Sequence, residues 1–515
     1  MFNKNIKKAI SVLMTLALVL SMGTTALWAA TNDVVDPNKP VCLTVHKYLS
    51  TIPSTTFGDG LTTPSIPNLV GAPGVQFKLT QLVNVTQDTT IDNCQKGSFT
   101  LTGTTNNAGE IVWTTANDKL TQGFYLLEEI YSPYNGTVSS SNPAGKIAAK
   151  AAPSIITLPY GMLGTNGTEY NYNVHVYPKN VTDDNYKKTV VRGANVYKPG
   201  DAVEWQIQTP ISSQDTKAYK VTDQLDSRLT YQSASVQMLM PGASPAAAPM
   251  TEGSDYTITH VNGLVTVTLT GDGIVKAKEN KAIFIQINIH TKVNDTAFQA
   301  GDNDVIVNGA QLSFTNIGSS EEQKIDIPTP ATITLANVEV MKTDKGVTPL
   351  ANAQFKIAAT DADAIAGRFL KDSQGNELII TTDANGRASA SGMAYSSNEI
   401  NTDGSINVYL VEVKAPNGYE LPQVSVVGGG IKPVVYKVTL KLGTSKTITL
   451  PSGQAITYKP FTGGVTVKNF KPGEGGLRLP VTGGAGTILF TLIGIALIVG
   501  ASLLFVKTRR ATNNK

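Results

Sequence analysis

The sequence predicts an all-β protein: three tandem immunoglobulin-like β-sandwich domains, set between an N-terminal export segment and a C-terminal membrane helix. Three observations carry this expectation. Runs such as Val265-Thr266-Val267-Thr268-Leu269 and Phe284-Ile285-Gln286-Ile287-Asn288-Ile289 suit the two-residue period of strands, and no helical period of useful length appears outside the two terminal apolar segments. The chain holds 46 Gly and 26 Pro but only 16% charged residues, a composition that supplies turns for many short strands. Finally, one ordered set of short motifs occurs twice, far apart, as expected of two copies of one sandwich.

Taken in chain order, Lys4, Lys7 and Lys8 precede an apolar run from Ala9 to Leu20, the pattern of a secretory signal peptide spanning residues 1–30. Cleavage is expected between Ala26 and Ala30, although Leu27 and Trp28 interrupt a clean small-x-small site. The first domain is expected over 31–181, a middle domain over 182–332 and a third over 333–474, with a tail over 475–515. Cys42 and Cys94 both fall in the first domain, where an oxidising compartment permits one disulfide, two free buried thiols being the alternative. A net charge of +3 gives no argument for nucleic acid. The four histidines, His46, His175, His260 and His290, are scattered and accompany no nucleophile motif or metal-ligand spacing. The acidic stretches Asp183-Asp184 and Asp361 to Asp363 read as solvated turns, calcium-holding loops being the alternative. No enzyme, metal site or cofactor is expected.

The first copy of the repeat carries Leu43-Thr44-Val45-His46-Lys47, Gly74-Val75-Gln76-Phe77-Lys78-Leu79, Asn107-Ala108-Gly109 and Tyr125-Leu126-Leu127-Glu128-Glu129. The second carries Val338-Glu339-Val340-Met341-Lys342, Asn352-Ala353-Gln354-Phe355-Lys356-Ile357, Ala384-Asn385-Gly386 and Tyr409-Leu410-Val411-Glu412. Each ends in a strand with a terminal asparagine, Asn180 and Asn469. In the third domain, alternation puts Lys342 on the same face as Val338 and Val340. A bare ammonium there is costly, so burial pushes the lysine toward the neutral amine and the acid, Glu412, toward the protonated form. Such an acid polarises the Asn469 carboxamide, the amine attacks its carbon, and ammonia leaves a Lys–Asn isopeptide bond.

Leu410-Val411-Glu412-Val413-Lys414-Ala415-Pro416-Asn417-Gly418-Tyr419 resembles the E-box of Gram-positive pilins, YxLxETxAPxGY, with Val408 and Val413 replacing its first Tyr and its Thr. The resemblance extends over the whole chain, to a SpaA- or FimA-type shaft pilin with Cna-type domains. It implies the isopeptide role of Glu412. Lys188-Thr189-Val190 and Tyr219-Lys220-Val221-Thr222-Asp223 are similar to the lysine and acid strands of the family's second domain. They imply a bond from Lys188 with Asp223 as the acid. Asn308 and Asn316 compete for the other end, the family's interval favouring Asn316, and Lys187 competes with Lys188. In the first domain the repeat alone supplies Lys47, Glu129 and Asn180. Its acid segment is a degraded E-box with Ser132 for the Ala, and a noncovalent pair is the alternative.

At the C-terminal end, Leu479-Pro480-Val481-Thr482-Gly483 precedes an uncharged run from Ala485 to Val506, long enough to span a bilayer, and then Lys507, Arg509 and Arg510. This resembles the LPxTG sorting signal, which implies that a sortase cuts between Thr482 and Gly483 and passes the Thr482 carbonyl to an amine. Tyr170-Asn171-Tyr172-Asn173-Val174-His175-Val176-Tyr177-Pro178-Lys179-Asn180 resembles the pilin motif WxxxVxVYPK, which implies that Lys179 is that amine in the next subunit. The expectation is a fimbrial shaft subunit anchored at the cell wall of a Gram-positive bacterium. Its implied partners are other copies of itself, a pilus sortase, a housekeeping sortase, peptidoglycan, tip and base pilins, and host surface receptors. A monomeric wall-anchored adhesin is the alternative.

Overall fold

The computed structural model describes residues 34–50, 70–131, 150–164, 167–181, 185–191, 196–242, 246–372, 374–393, 401–425, 431–450 and 453–474. The export segment, the Leu479–Gly483 motif and the apolar run that follows it lie outside these residues. No helix among the described residues is long and apolar enough to cross a membrane.

The first sandwich is built from β1 (Cys42–His46), β2 (Tyr48–Ser50), β3 (Gln76–Val83), β4 (Gln95–Thr104), β5 (Glu110–Thr114), β6 (Gly123–Tyr131), β7 (Ser154–Leu158), β8 (Asn173–Val176) and β9 (Lys179–Val181). β1 lies between β8 and β5, while β4, β3, β6 and β7 form the larger sheet. Leu43, Val45, Phe77, Leu79, Trp113, Tyr125 and Leu127 fill the core. They come from alternating positions, which is how one strand face meets the core and the other does not.

The middle sandwich contains β10 (Lys187–Val190), β11 (Ala202–Pro210), β12 (Thr216–Gln224), β13 (Leu229–Met240), β14 (Tyr256–Val261), β15 (Leu264–Leu269), β16 (Phe284–Val293), β17 (Val305–Asn308), β18 (Gln311–Asn316) and β19 (Gln323–Asp326). One sheet runs β10-β11-β16-β13 and the other β14-β15-β12-β18-β19. A nine-residue helix, Gly271–Glu279, interrupts the strands. Thr270 caps it by accepting from the Gly273 N–H at 3.0 Å, a local signal hidden by the two glycines of its first turn.

The third sandwich contains β20 (Ala336–Thr343), β21 (Gln354–Ala358), β22 (Arg387–Ser391), β23 (Ile406–Lys414), β24 (Val435–Leu442) and β25 (Phe461–Lys468). The chain divides into two compact units, residues 1–192, 202–292 and 307–332 in one and 193–201, 293–306 and 333–515 in the other. Two segments expected in the middle domain thus pack with the third. The reason is apolar burial and strand pairing: Val196 and Phe298 lie in the third core, and Gln299–Ala300 pairs with β22.

The two copies of the repeat agree residue by residue. In each, the first strand pairs in parallel with the last, β1 with β8 and β20 with β25. Phe77 stands opposite Glu129 and Phe355 opposite Glu412, each beside a register shift at the preceding glutamine. The Gly109 carbonyl accepts from the Lys47 N–H at 2.7 Å, as the Gly386 carbonyl does from the Lys342 N–H at 2.7 Å. Both glycines have positive φ, and a Cβ on either would stand 2.4 Å from the lysine's carbonyl oxygen.

Candidate cross-linking sites

The third sandwich closes its site completely. β20 and β25 run parallel with Lys342 opposite Val467, so Asn469 follows two residues on, on the same face. Lys342 and Asn469 are both 0% exposed. Lys342 Nζ donates to Glu412 Oε2 at 2.9 Å and to Asn469 Oδ1, while Asn469 Nδ2 donates to Glu412 Oε1 at 2.7 Å. The acid therefore touches both reactants. The Phe355 ring lies 5.9 Å from the amine, an aromatic contact that the repeat's Gln-Phe-Lys motif carries in both copies. Burial pulls the Lys342 amine down to about 8 against the attraction of Glu412, and burial pushes the Glu412 carboxyl up against Lys342.

The first sandwich repeats the pair. Lys47, fully buried, donates to Glu129 Oε2 at 2.8 Å, and the Phe77 ring lies 5.5 Å from its amine. Burial holds the Lys47 amine below the ordinary lysine range. For Lys179 and Asn180 the backbone is described. Val45 is opposite Val176 and Tyr48 opposite Lys179, so the same register puts Lys47 opposite Pro178. Asn180 stands two residues beyond, as Asn469 does past Val467.

The middle sandwich holds its lysine and acid but corrects the asparagine. Lys188 is buried whereas Lys187 is exposed, which separates the two neighbours. Lys188 Nζ donates to Asp223 Oδ2 at 2.5 Å and to the Gly309 carbonyl at 2.9 Å, and the Trp205 ring lies 5.6 Å away. Burial pulls this amine down to about 8 and pushes the Asp223 carboxyl up. Asn316 is opposite Thr216, at the start of β12, whereas Asp223 is opposite Val265 near its end. Seven residues of strand separate those points, about 20 Å. Asn316 is therefore at the wrong end of the sheet. Asn308 precedes the glycine that Lys188 touches, is 0% exposed, and neither atom of its carboxamide has a hydrogen-bond partner among the described residues.

A second correction concerns the cysteines. Cys42 and Cys94 are free thiols. Cys42 is fixed in β1 opposite Thr114 and Asn173, and the Cys94 thiol donates to the Ile91 carbonyl at 3.3 Å before β4 begins. Cys42 thus belongs to the β8-β1-β5 sheet, while Cys94 lies in the loop that leads into the other sheet.

Two clusters were not legible beforehand. His46 and His175, distant in sequence, meet across β1 and β8 with Nε2 and Nδ1 2.8 Å apart. The third sandwich also holds a lysine–acid–asparagine set of different character. Lys446 Nζ lies 3.1 Å from Asp302 and 3.3 Å from Asp304, and Asn337 Nδ2 donates to Asp302 at 2.7 Å. Burial lowers the Lys446 pKa, but the bonds to Asp302 and Asp304 carry it upward overall, so this amine stays charged.

Residues 39–181 match the Gram-positive pilin subunit D1, N-terminal domain; 203–325 the Sgo0707 N2 domain; 336–427 a prealbumin-like fold domain; and 478–513 the LPXTG cell wall anchor motif. The chain is 27% identical to the fimbrial subunit type 1 of Actinomyces viscosus, over 96% of this chain and 95% of that protein. It is homologous to the Gram-positive fimbrial subunits. The fimbrial subunit type 2 of Actinomyces naeslundii is 26% identical over 73% of this chain and 70% of its own. The major pilin SpaD of Corynebacterium diphtheriae has 21% identity, with 87% of this chain and all of that one covered and a TM-score of 0.42. This fimbrial subunit homologue carries its wall-anchor motif at residues 478–513, which locates it at the cell wall as part of a surface fimbria.

Proposed function

We propose that the chain is the repeating shaft subunit of a covalent fimbria, joined through Thr482 of one copy and Lys179 of the next. The observation that carries this reading is the combination of a wall-anchor motif at 478–513 with a pilin N-terminal domain whose match ends at 181, two residues past Lys179. A sortase thiol displaces the Gly483 amine from the Thr482 carbonyl. The Lys179 amine then displaces the thiol, losing its proton, and an amide remains. An ordinary lysine is neutral only about once in a few thousand at pH 7, so a base outside this side chain must take the proton. One donor end and one acceptor per copy make a head-to-tail contact that need not close, which grows a filament.

Within each subunit, Lys342 attacks Asn469 beside Glu412, and Lys188 attacks Asn308 beside Asp223. Lys47 attacks Asn180 beside Glu129. Each reaction releases one ammonia and occurs once, so the acids are not turnover sites. The bonds of the first and third sandwiches tie first to last strand, that of the middle sandwich ties β10 to the end of β17, and all three carry tension through covalent links. Replacing Lys179 by arginine tests the shaft reading. Boiled, reduced wall extracts should lose their high-mass ladder and keep wall-linked monomer. A full ladder in that variant would overturn the reading in favour of another acceptor. A single band in the wild type would favour the monomeric adhesin.

A further inference from the structure

The strand pair that ends in Lys179 carries different chemistry on its two faces. On one face Lys47 is fully buried. His46, Tyr48, His175 and Tyr177 recur at the two-residue period on the other. There His46 Nε2 and His175 Nδ1 are 2.8 Å apart, and both rings are buried. Tyr177 stacks on His46 with centroids 4.8 Å apart and planes at 11°, and Tyr48 lies parallel to His46 at 6.1 Å. Glu110, on β5, brings Oε1 to 3.1 Å from His46 Nδ1, an electrostatic contact and not an aligned hydrogen bond. Lys179 is the backbone partner of Tyr48. The last side chains before the acceptor thus lean on one imidazole of the first strand.

We propose that His46 and His175 are positioning residues for the acceptor lysine: their ring-to-ring hydrogen bond holds the strand through Tyr177 to Lys179 against β1 and β2, and its loss in acid makes Lys179 a poorer acceptor. This rests on Lys179 being the acceptor. The groups facing the pair are Glu110, Tyr48 and Tyr177. One added proton does not break the bond, because a protonated His46 beside Glu110 still donates to a neutral His175. A second proton leaves two N–H groups facing each other. Burial holds both imidazoles below 6.5, and the charge of His46 lowers His175 further. The strap is therefore intact above the ordinary histidine value and is lost as pH falls through the lower, second step.

The test compares the extracellular chain, truncated before Leu479, with its His46→Gln/His175→Asn double variant. That variant keeps amide groups at the bonding positions but cannot titrate. Both accept a labelled LPVTG peptide from the same sortase between pH 8 and 4.5, so the titrations of sortase and amine cancel in the ratio. The ratio of wild-type to variant transfer should be constant above 6.5 and fall by about fivefold or more below it, the effect of losing one buried hydrogen bond. A ratio that stays constant while the NMR signals of both wild-type histidines titrate would overturn the proposal. Should the variant not fold, histidine and Lys179 amide NMR signals of the wild type decide instead. A shared acid midpoint supports the strap, and a Lys179 amide indifferent to the histidines overturns it. Transfer that survives Lys179→Arg at pH 7.5 would instead remove the acceptor assignment.

Discussion

The third and middle sandwiches bury the same three kinds of residue, yet only the third brings all three into mutual contact. Glu412 bonds both Lys342 and Asn469, whereas Asp223 bonds Lys188 alone and its Oδ1 has no partner among the described residues. The difference lies in how each asparagine arrives. Asn469 follows a strand parallel to its lysine's, so register alone delivers it. Asn308 ends a short strand whose next residue meets the lysine through its backbone. The third site shows a set poised around one acid. The middle one shows that burial of lysine and acid is established independently of the final approach of the amide.

The largest effect that separates them is expected from Glu412→Gln. The isopeptide bond should fail to form, leaving Lys342 a buried amine without its carboxylate, a loss of about 2–5 kcal/mol, the scale of removing a native cross-link. Calorimetric unfolding of the extracellular chain should show the third sandwich melting earlier while the middle one is unchanged. Next comes the choice of amide. Asn308→Ala should restore the mass of one ammonia, and Asn316→Ala should restore none, as read by intact mass. If Asn316→Ala alone restored it, β12 and β18 would have to pair differently from the register described.

The smallest expected effect is on rate. In the third site one proton is shared between Lys342 and Glu412 over the window from the raised carboxyl value up to about 8. Within it, the charged pair and the neutral pair hold the same number of protons, so cross-linking of freshly refolded chain should vary little with pH. Above about 8 the acid loses that proton and the rate should fall. In acid the amine becomes charged and the rate should fall again. A rate that keeps rising through pH 10 would mean that amine neutrality alone controls the reaction.

How much of this was legible beforehand follows from the physics of each signal. The two-residue period and the motif repeat were enough for three sandwiches and for the Lys342, Glu412 and Asn469 set. They also gave Lys47 and Glu129, because copies of one register place like residues alike. Alternation fixes a face but not a place along a strand. Asn308 and Asn316, eight positions apart, were therefore indistinguishable until antiparallel pairing put one of them opposite Thr216. Composition is equally silent about solvation. Lys446, Asp302 and Asn337 have the right identities, but two acids beside a partly exposed amine keep it charged. The histidine pair was hidden because its members are brought together only by the parallel pairing of first and last strands. The disulfide expectation failed because shared domain membership does not bring a thiol on β1 together with one in the loop before β4.

The most direct measurement is the intact mass of the extracellular chain, with fragmentation to locate the links. The expected mass is three ammonias below that of the sequence, with branched peptides joining Lys47 to Asn180, Lys188 to Asn308 and Lys342 to Asn469. A mass equal to that of the sequence, with these lysines free in the fragments, would contradict it.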